Sequence, residues 1–100
     1  MPKAKDTFPE IDKAIHELAR LKIIATLASV EDGDMTFLMN FTGLSWGNLS
    51  VQVSKLKDIG YVDVQKNFVN NKPQSKVCLT LKGKKAFTHY KETLGDLLDV

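Results

Sequence analysis

The sequence lacks several features that would place it outside the cytoplasm. It has one cysteine, Cys78, so no disulfide can form within the chain. It has no apolar run of the roughly 20 residues that cross a membrane. No apolar stretch of the signal-peptide type follows the charged residues 1–6. We therefore expect a protein of the reducing cytoplasm that has no membrane partner.

Motifs for catalysis and for metal binding are scarce. His16, Cys78 and His89 are scattered, and no pair of them has the spacing of zinc ligands. Residues 31–34 are acidic but do not complete the calcium-binding loop of an EF-hand. Residues 43–47 match a nucleophile elbow in letters only, because a chain this short cannot supply the large sheet that the elbow needs. We predict no enzymatic activity, no cofactor and no metal site.

The chain does contain enough apolar residues for one core, and its positive charge is clustered. It has 100 residues, of which 43% are hydrophobic, as suits one domain without disulfides. Residues 1–54 hold five basic and seven acidic side chains, a net charge of −2. Residues 55–91 hold nine basic and two acidic side chains, a net charge of +7. Residues 92–100 hold three acidic side chains, a net charge of −3, and the three segments sum to +2. A basic cluster is typical of polyanion binding, although lysines also serve simply to solvate a surface.

The stretch 37–62 predicts two helices joined by a tight turn. Asp34 is suited to cap the first helix, and Gly43 can take the left-handed conformation that ends it. Ser45 is a good cap for the second helix, predicted over 45–59. Apolar residues at helical spacing are expected to face the core from this helix: Leu49, Val53, Leu56 and Ile59.

The opposite face of the second helix is rich in small, amide and hydroxyl side chains. Asn and Gln pair with adenine edges, Ser with several bases, and Lys with guanine or phosphate. Such a helix suits the major groove, although an ordinary solvated face has the same pattern. Trp46 is expected mainly to pack at the helix start, with base or sugar contact as the alternative. The candidate DNA-binding residues of this helix are Ser45, Trp46, Gly47, Asn48, Ser50, Val51, Gln52, Ser54 and Lys55.

Residues 61–68 and 75–81 alternate in the manner of strands, and a turn cluster at 69–74 separates them. Directly after a helix-turn-helix, this hairpin would be a wing whose tip reaches the phosphate backbone or the minor groove. The alternative is a plain hairpin that closes the core. The candidate DNA-binding residues of the wing are Lys66, Asn70, Asn71, Lys72 and Lys76.

Long helices are predicted at both ends, from Ile11 to about Ser29 and, capped by Thr80, over about eighteen residues. They offer more apolar surface than this small core needs, so we expect a homodimer through the first and last helices. The alternative is a last helix folded back on its own core. His16 and Arg20 are expected to form a surface pair or to contact the second subunit. Residues 1–10 are expected to be a flexible lead to a domain over 11–98.

Short motifs in this order resemble the stand-alone winged-helix DNA-binding domain family of bacteria and archaea, and more broadly regulators of the MarR and ArsR type. The matching stretches are residues 16–21, 35–38, 43–50, 60–62, 66–68, 72–75 and 79–83. The resemblance implies a mainly α fold with a small β-hairpin: a winged helix-turn-helix with a three-helix core, a two-stranded wing and a long C-terminal helix. It also implies a transcriptional regulator that binds double-stranded DNA sequence-specifically as a homodimer. Gln52 replaces the family's usual His, and 72–75 replace Arg-Pro-Arg-Thr, which would alter base preference and the grip of the wing.

Two other functions stay open on the sequence alone. A winged helix can serve as a protein–protein interaction module within a larger complex, with Trp46, Val51 and Phe68 as its binding surface. A regulator can also sense an unknown small-molecule effector at the dimer seam.

Overall fold

The computed structural model describes residues 7–99. Residues 7–10 lie outside helices and strands, and the rest of the predicted lead, residues 1–6, falls outside the described residues. The elements in chain order are α1 (Leu18–Ser29), β1 (Gly33–Asp34), α2 (Met35–Thr42), α3 (Trp46–Asp58), β2 (Val62–Val69), β3 (Lys72–Leu79) and α4 (Leu81–Leu98). The predicted winged helix-turn-helix fold is confirmed, with α1–α3 as the three-helix core, β2–β3 as the wing and α4 as the long last helix.

Local side chain-to-backbone hydrogen bonds set the starts of three helices. Asp34, Ser45 and Thr80 each accept a hydrogen bond from the backbone N–H three residues on, at 2.7, 3.2 and 3.0 Å. Each bond satisfies an amide that the first helical turn leaves without a partner. Gly43, at φ +76°, ends α2 in the left-handed conformation. These caps, including the turn between α2 and α3, are as predicted from the sequence.

The first helix starts later than predicted, at Leu18 rather than near Ile11. The Asp12 carboxylate accepts hydrogen bonds from the backbone N–H groups of Ala14 and Ile15, at 2.9 and 3.2 Å, and so closes a separate turn. Glu17, in extended conformation at φ −146°, then caps α1. Side chains that bond to nearby backbone compete with a continuous helix, which is why apolar spacing alone placed this start wrongly.

A third strand was not predicted. The two residues of β1 pair antiparallel with β3, Gly33 opposite Val77 and Asp34 opposite Lys76, and the sheet order is β1-β3-β2. Two residues are too few to show a strand period, so this pairing depends on β3 lying alongside.

The wing turn is tighter than the predicted cluster at 69–74. Val69 pairs with Lys72, and only Asn70 and Asn71 lie between the strands, at φ 53° and 63°. A two-residue hairpin loop of type I′ has this left-handed pair, and Asn tolerates it better than most residues do. Strand β3 therefore begins at Lys72 rather than Ser75.

The core lies where α1–α3 meet the sheet and one face of α4. From α3, Leu49, Val53 and Leu56 are buried as predicted, but Ile59 at the helix end is 37% exposed. The only buried residues of α4 are Gly83 and Tyr90. No helix within residues 7–99 is apolar over enough of its length to cross a membrane. The buried apolar residues clustered in this core are Ile15, Ile23, Ile24, Leu27, Leu38, Leu49, Val53, Leu56, Val62, Val77, Leu79 and Tyr90.

Candidate nucleic-acid interface

Helix α3 is packed on one side and open on the other. Because Leu49, Val53 and Leu56 lie against the core, the residues between them project outward. Gln52 is half-buried, and the other candidate positions on this helix are exposed: Ser45, Trp46, Gly47, Asn48, Ser50, Val51, Ser54 and Lys55. The structure thus brings the candidate residues of α3 together on one continuous surface.

Trp46 departs from its predicted packing role. Its side chain is 55% exposed. It is the first residue of α3, directly after the cap Ser45, whereas the buried residues of α3 begin at Leu49. The indole therefore stands exposed at the edge of the outward surface.

Two of the candidate residues are linked to each other and to α1. Nη1 of Arg20 donates to Oε1 of Gln52 at 2.8 Å. Nε2 of Gln52 donates in turn to Oδ1 of Asn48 at 3.0 Å. We call these three side chains the amide relay. The side-chain amides of Gln52 and Asn48 are therefore hydrogen-bonded to each other.

The predicted pairing of Arg20 with His16 is wrong. Arg20 turns toward α3, and its side chain is only 16% exposed. His16 turns the other way, where its Nδ1 and the Tyr90 hydroxyl share a hydrogen bond of 2.8 Å. Sequence spacing placed both residues on one face because it assumed a single helix from Ile11, whereas α1 begins between them. The one available signal was that Arg20 is the only arginine in the chain.

Arg20 is anchored at the start of α1. Its Nε donates to the Ala14 carbonyl oxygen at 2.6 Å, and its Nη1 lies 3.6 Å from Oε1 of Glu17. The backbone N–H of Arg20, followed by that of Ala19, donates to the Glu17 carboxylate and lowers the pKa of Glu17 below its ordinary 4.5. A carboxylate thus stays ionised beside the guanidinium at neutral pH.

The wing divides its candidate residues between two faces. Side chains alternate along each strand, so Lys66 shares the core-facing side of the hairpin with Val62 and Val64. Lys72 and Lys76 lie on the opposite side. Asn70 and Asn71 form the tip between them. The structure therefore groups Lys72 with Lys76 but not with Lys66.

Comparison with known proteins identifies a matching family and a relative of this chain. Residues 19–98 match the winged helix DNA-binding domain family. An uncharacterized protein of Methanocaldococcus jannaschii is 30% identical over 78 residues, which are 78% of this chain and 85% of that protein.

Solved structures resemble the fold. A transcriptional regulator homologue from Pyrococcus horikoshii has a TM-score of 0.81 and 21% identity, over 86% of this chain and 85% of that one. The wild-type MarR of Escherichia coli in its apo form has a TM-score of 0.71 and 19% identity, over 80% of this chain and 58% of that one. Since the matched family covers residues 19–98, this protein belongs to the winged helix DNA-binding domain family.

Proposed function

We propose that this protein is a transcriptional regulator that binds double-stranded DNA sequence-specifically, with α3 in the major groove and the wing, residues 66–76, on the backbone or in the minor groove. The observation that carries the proposal is the outward surface of α3. It offers amide, hydroxyl and small side chains, and no carboxylate occurs between Ser45 and Lys57. Asp58, the exposed last residue of α3, is the one acidic side chain of this helix. The rest of the outward surface has no carboxylate of its own, so it can approach the phosphates with little repulsion, and its amides and hydroxyls suit base edges.

The dimensions of α3 suit this role. Its 13 residues are about 20 Å long, and the major groove is about 12 Å wide, so the exposed side chains of one helix can reach several base pairs. Asn48, Ser50 and Gln52 would contact base edges, and Val51 could meet a thymine methyl group. Ser45, Ser54 and Lys55 would contact phosphates.

The charge distribution supports the same orientation. The net +7 of residues 55–91 begins in the second half of α3 and continues through the wing. Lys72 and Lys76, on one side of the hairpin, would bind phosphates, with Asn70 and Asn71 at the tip. Lys66, on the other side, would contact the backbone only if the hairpin twists strongly toward its tip.

We also propose that the protein acts as a homodimer through its first and last helices. Helix α4 has 18 residues, about 27 Å, of which only Gly83 and Tyr90 are buried. Ala86, Phe87 and Leu94 pack partly buried against the core. Leu18 on α1 and Leu98 on α4 are each about two-thirds exposed, at 67% and 70%. A two-fold dimer would present two copies of α3 to successive major grooves and would match a palindromic operator.

Selection of bound duplexes from a random library, at two salt concentrations, tests the proposal. An enriched palindrome with steep salt dependence supports a dimeric regulator. Asn48→Ala and Gln52→Ala should each cost about 1–3 kcal/mol of binding and relax the base preference. Asn40→Ala, the same chemical change at an exposed position of α2, is the matched control and should leave the preference unchanged. Equal preference in all three variants contradicts the placement of α3.

A second candidate function is protein–protein interaction. It is favoured by the exposed apolar side chains Trp46, Val51 and Phe68, the last of them 77% exposed near the wing tip. Absence of DNA binding at low salt, together with undiminished partner binding after the wing lysines are neutralised, would support this second function.

A further inference from the structure

We infer that Arg20 sets the base preference of α3 without touching DNA, by fixing the direction of the two amide groups that face the groove. This inference rests on the proposed function, because it assigns the origin of a specificity that the proposed function requires. Arg20 would be a positioning residue, and Gln52 and Asn48 would make the contacts.

The first step is the contact between Arg20 and Gln52. A guanidinium has donors and no acceptor, so the atom of Gln52 that lies 2.8 Å from Nη1 must be the amide oxygen. The NH₂ group of Gln52 then points the other way, toward Asn48. A lone amide has no such constraint, because its oxygen and nitrogen ends are nearly equal in size.

The second step passes the direction on to Asn48. The Gln52 NH₂ group can only donate, so the atom of Asn48 that lies 3.0 Å away must be the carbonyl oxygen. The NH₂ group of Asn48 is then free for a base acceptor. One charged donor thus fixes the donor and acceptor ends of both amides. A flipped amide would exchange them and would read a different base edge.

The third step is that Arg20 is itself held in place. Its Nε bonds to the Ala14 carbonyl oxygen at 2.6 Å while Nη1 bonds to Gln52. Asp12 holds the turn that contains Ala14 in place. The Asp12 carboxylate accepts one hydrogen bond from the Ala14 N–H and another, at 2.5 Å, from the Tyr61 hydroxyl. Tyr61 lies just beyond α3, so one polar chain joins both ends of the helix to the start of α1.

A lysine could not replace this arginine. The guanidinium reaches two acceptors through separate nitrogens of a rigid plane, whereas an ammonium presents a single centre. The chain carries 13 lysines, and its only arginine occupies this position, where its side chain is 16% exposed. The two contacts of Arg20 therefore depend on the planar arrangement of its Nε and Nη1 donors, rather than on its charge alone.

The test is Arg20→Lys, which keeps the charge and removes the fork, with Lys22→Arg at an exposed position of α1 as the matched control. We expect Arg20→Lys to lower the ratio of preferred to second-best base by at least about fivefold at the contacted positions. Its affinity for random duplex and its salt slope should stay those of the wild type. Lys22→Arg should change none of these. An unchanged base preference in Arg20→Lys overturns the inference, whereas a wild-type chain with no preference refutes the proposed function.

A double-mutant cycle separates the relay from a general loss of structure. In a Gln52→Ala background Arg20 has lost its acceptor, so Arg20→Lys should cause no further change in base preference. A further loss equal to that in the wild-type background would mean that Arg20 acts independently of Gln52, and would overturn the inference.

A measurement without DNA tests the same geometry. The side-chain NH₂ signals of Gln52 and Asn48 in the free protein should show slowed motion by NMR, and Arg20→Lys should release both. Unchanged signals would overturn the inference. If Arg20→Lys does not fold, Gln52→Met is the second variant: it keeps Arg20 but removes the side-chain amide that makes both hydrogen bonds. The Asn48 NH₂ signals should then become mobile, and Asn48 signals that stay ordered would overturn the inference.

Discussion

Replacing Gly83 by alanine should destabilise the protein, although the same change usually strengthens a helix. Gly83 lies in the first turn of α4, directly against the backbone of Tyr61. A Cβ atom there would lie 2.1 Å from the Tyr61 carbonyl oxygen and 2.9 Å from its carbon, inside the 3.0 Å that real Cβ contacts respect. The carbonyl cannot turn away easily, because it accepts a hydrogen bond from the Thr80 N–H at 3.0 Å.

The magnitude follows from the displacement. The oxygen and the new methyl group must separate by at least 0.9 Å, the difference between 3.0 and 2.1 Å. Forced overpacking of this kind costs about 1–3 kcal/mol of unfolding free energy. The higher intrinsic helix preference of alanine than of glycine offsets about 0.5–1 kcal/mol of that loss. The two ranges give a net loss between 0 and about 2.5 kcal/mol. Because the displaced atoms belong to the backbone, we expect a value toward the upper half, about 1–2 kcal/mol, or a Tm lower by roughly 4–16 °C for a domain of this size.

The assay is thermal unfolding followed by circular dichroism at one fixed chain concentration, since a dimer would make Tm depend on concentration. Gly95→Ala is the control on the same helix, because a Cβ there meets nothing within 4 Å. That variant should be as stable as the wild type or more stable by up to about 1 kcal/mol. If Gly83→Ala matches Gly95→Ala in Tm, helix α4 does not sit on the Tyr61 carbonyl and the reasoning fails.

Three further predictions concern other parts of the molecule. Burial, followed by the hydrogen bond to the Asp12 carboxylate, raises the pKa of Tyr61 to about 12, above its ordinary 10.0. The stability that the neutral hydroxyl contributes is therefore complete below pH 10 and is lost as the pH rises toward 12. Tyr61→Phe should flatten the fall in unfolding free energy between pH 10 and pH 12. Lys72→Gln should weaken binding to all duplexes alike and reduce the salt slope by about one, with Lys85→Gln on α4 as the control; a changed base preference would contradict a phosphate contact. A chain that ends at about residue 86 should sediment as a monomer or fail to fold, and a stable dimer would refute the seam through α4.

The sequence predicted well those features that depend on neighbouring residues. The caps at Asp34, Ser45 and Thr80 each join a side chain to a backbone N–H three residues away, so the residue type and the spacing are sufficient. The buried stripe of Leu49, Val53 and Leu56 follows from the helical period in the same way. The order of the helices and of the two wing strands could therefore be predicted before any contact was known, and the resemblance of the short motifs to a known family implied the winged-helix fold.

The candidate surface was predictable for a related reason. The outward face of α3 is the complement of its buried stripe, so the sequence indicated that Asn48, Ser50 and Val51 are exposed. Trp46 was the exception, because one turn of helix is too short for spacing to separate a packed residue from an exposed one. Contact of these residues with DNA stays a prediction.

Only the tertiary structure decided the contacts between residues far apart in sequence. Arg20 and Gln52 are 32 residues apart, and nothing in either segment indicates that a guanidinium would reach the amide. Strand β1 exists because β3 lies beside it. Gly83 must be a glycine because the Tyr61 backbone passes within the space of a methyl group. Sequence spacing determines what a segment does alone, whereas these features depend on where packing of the core places a second segment.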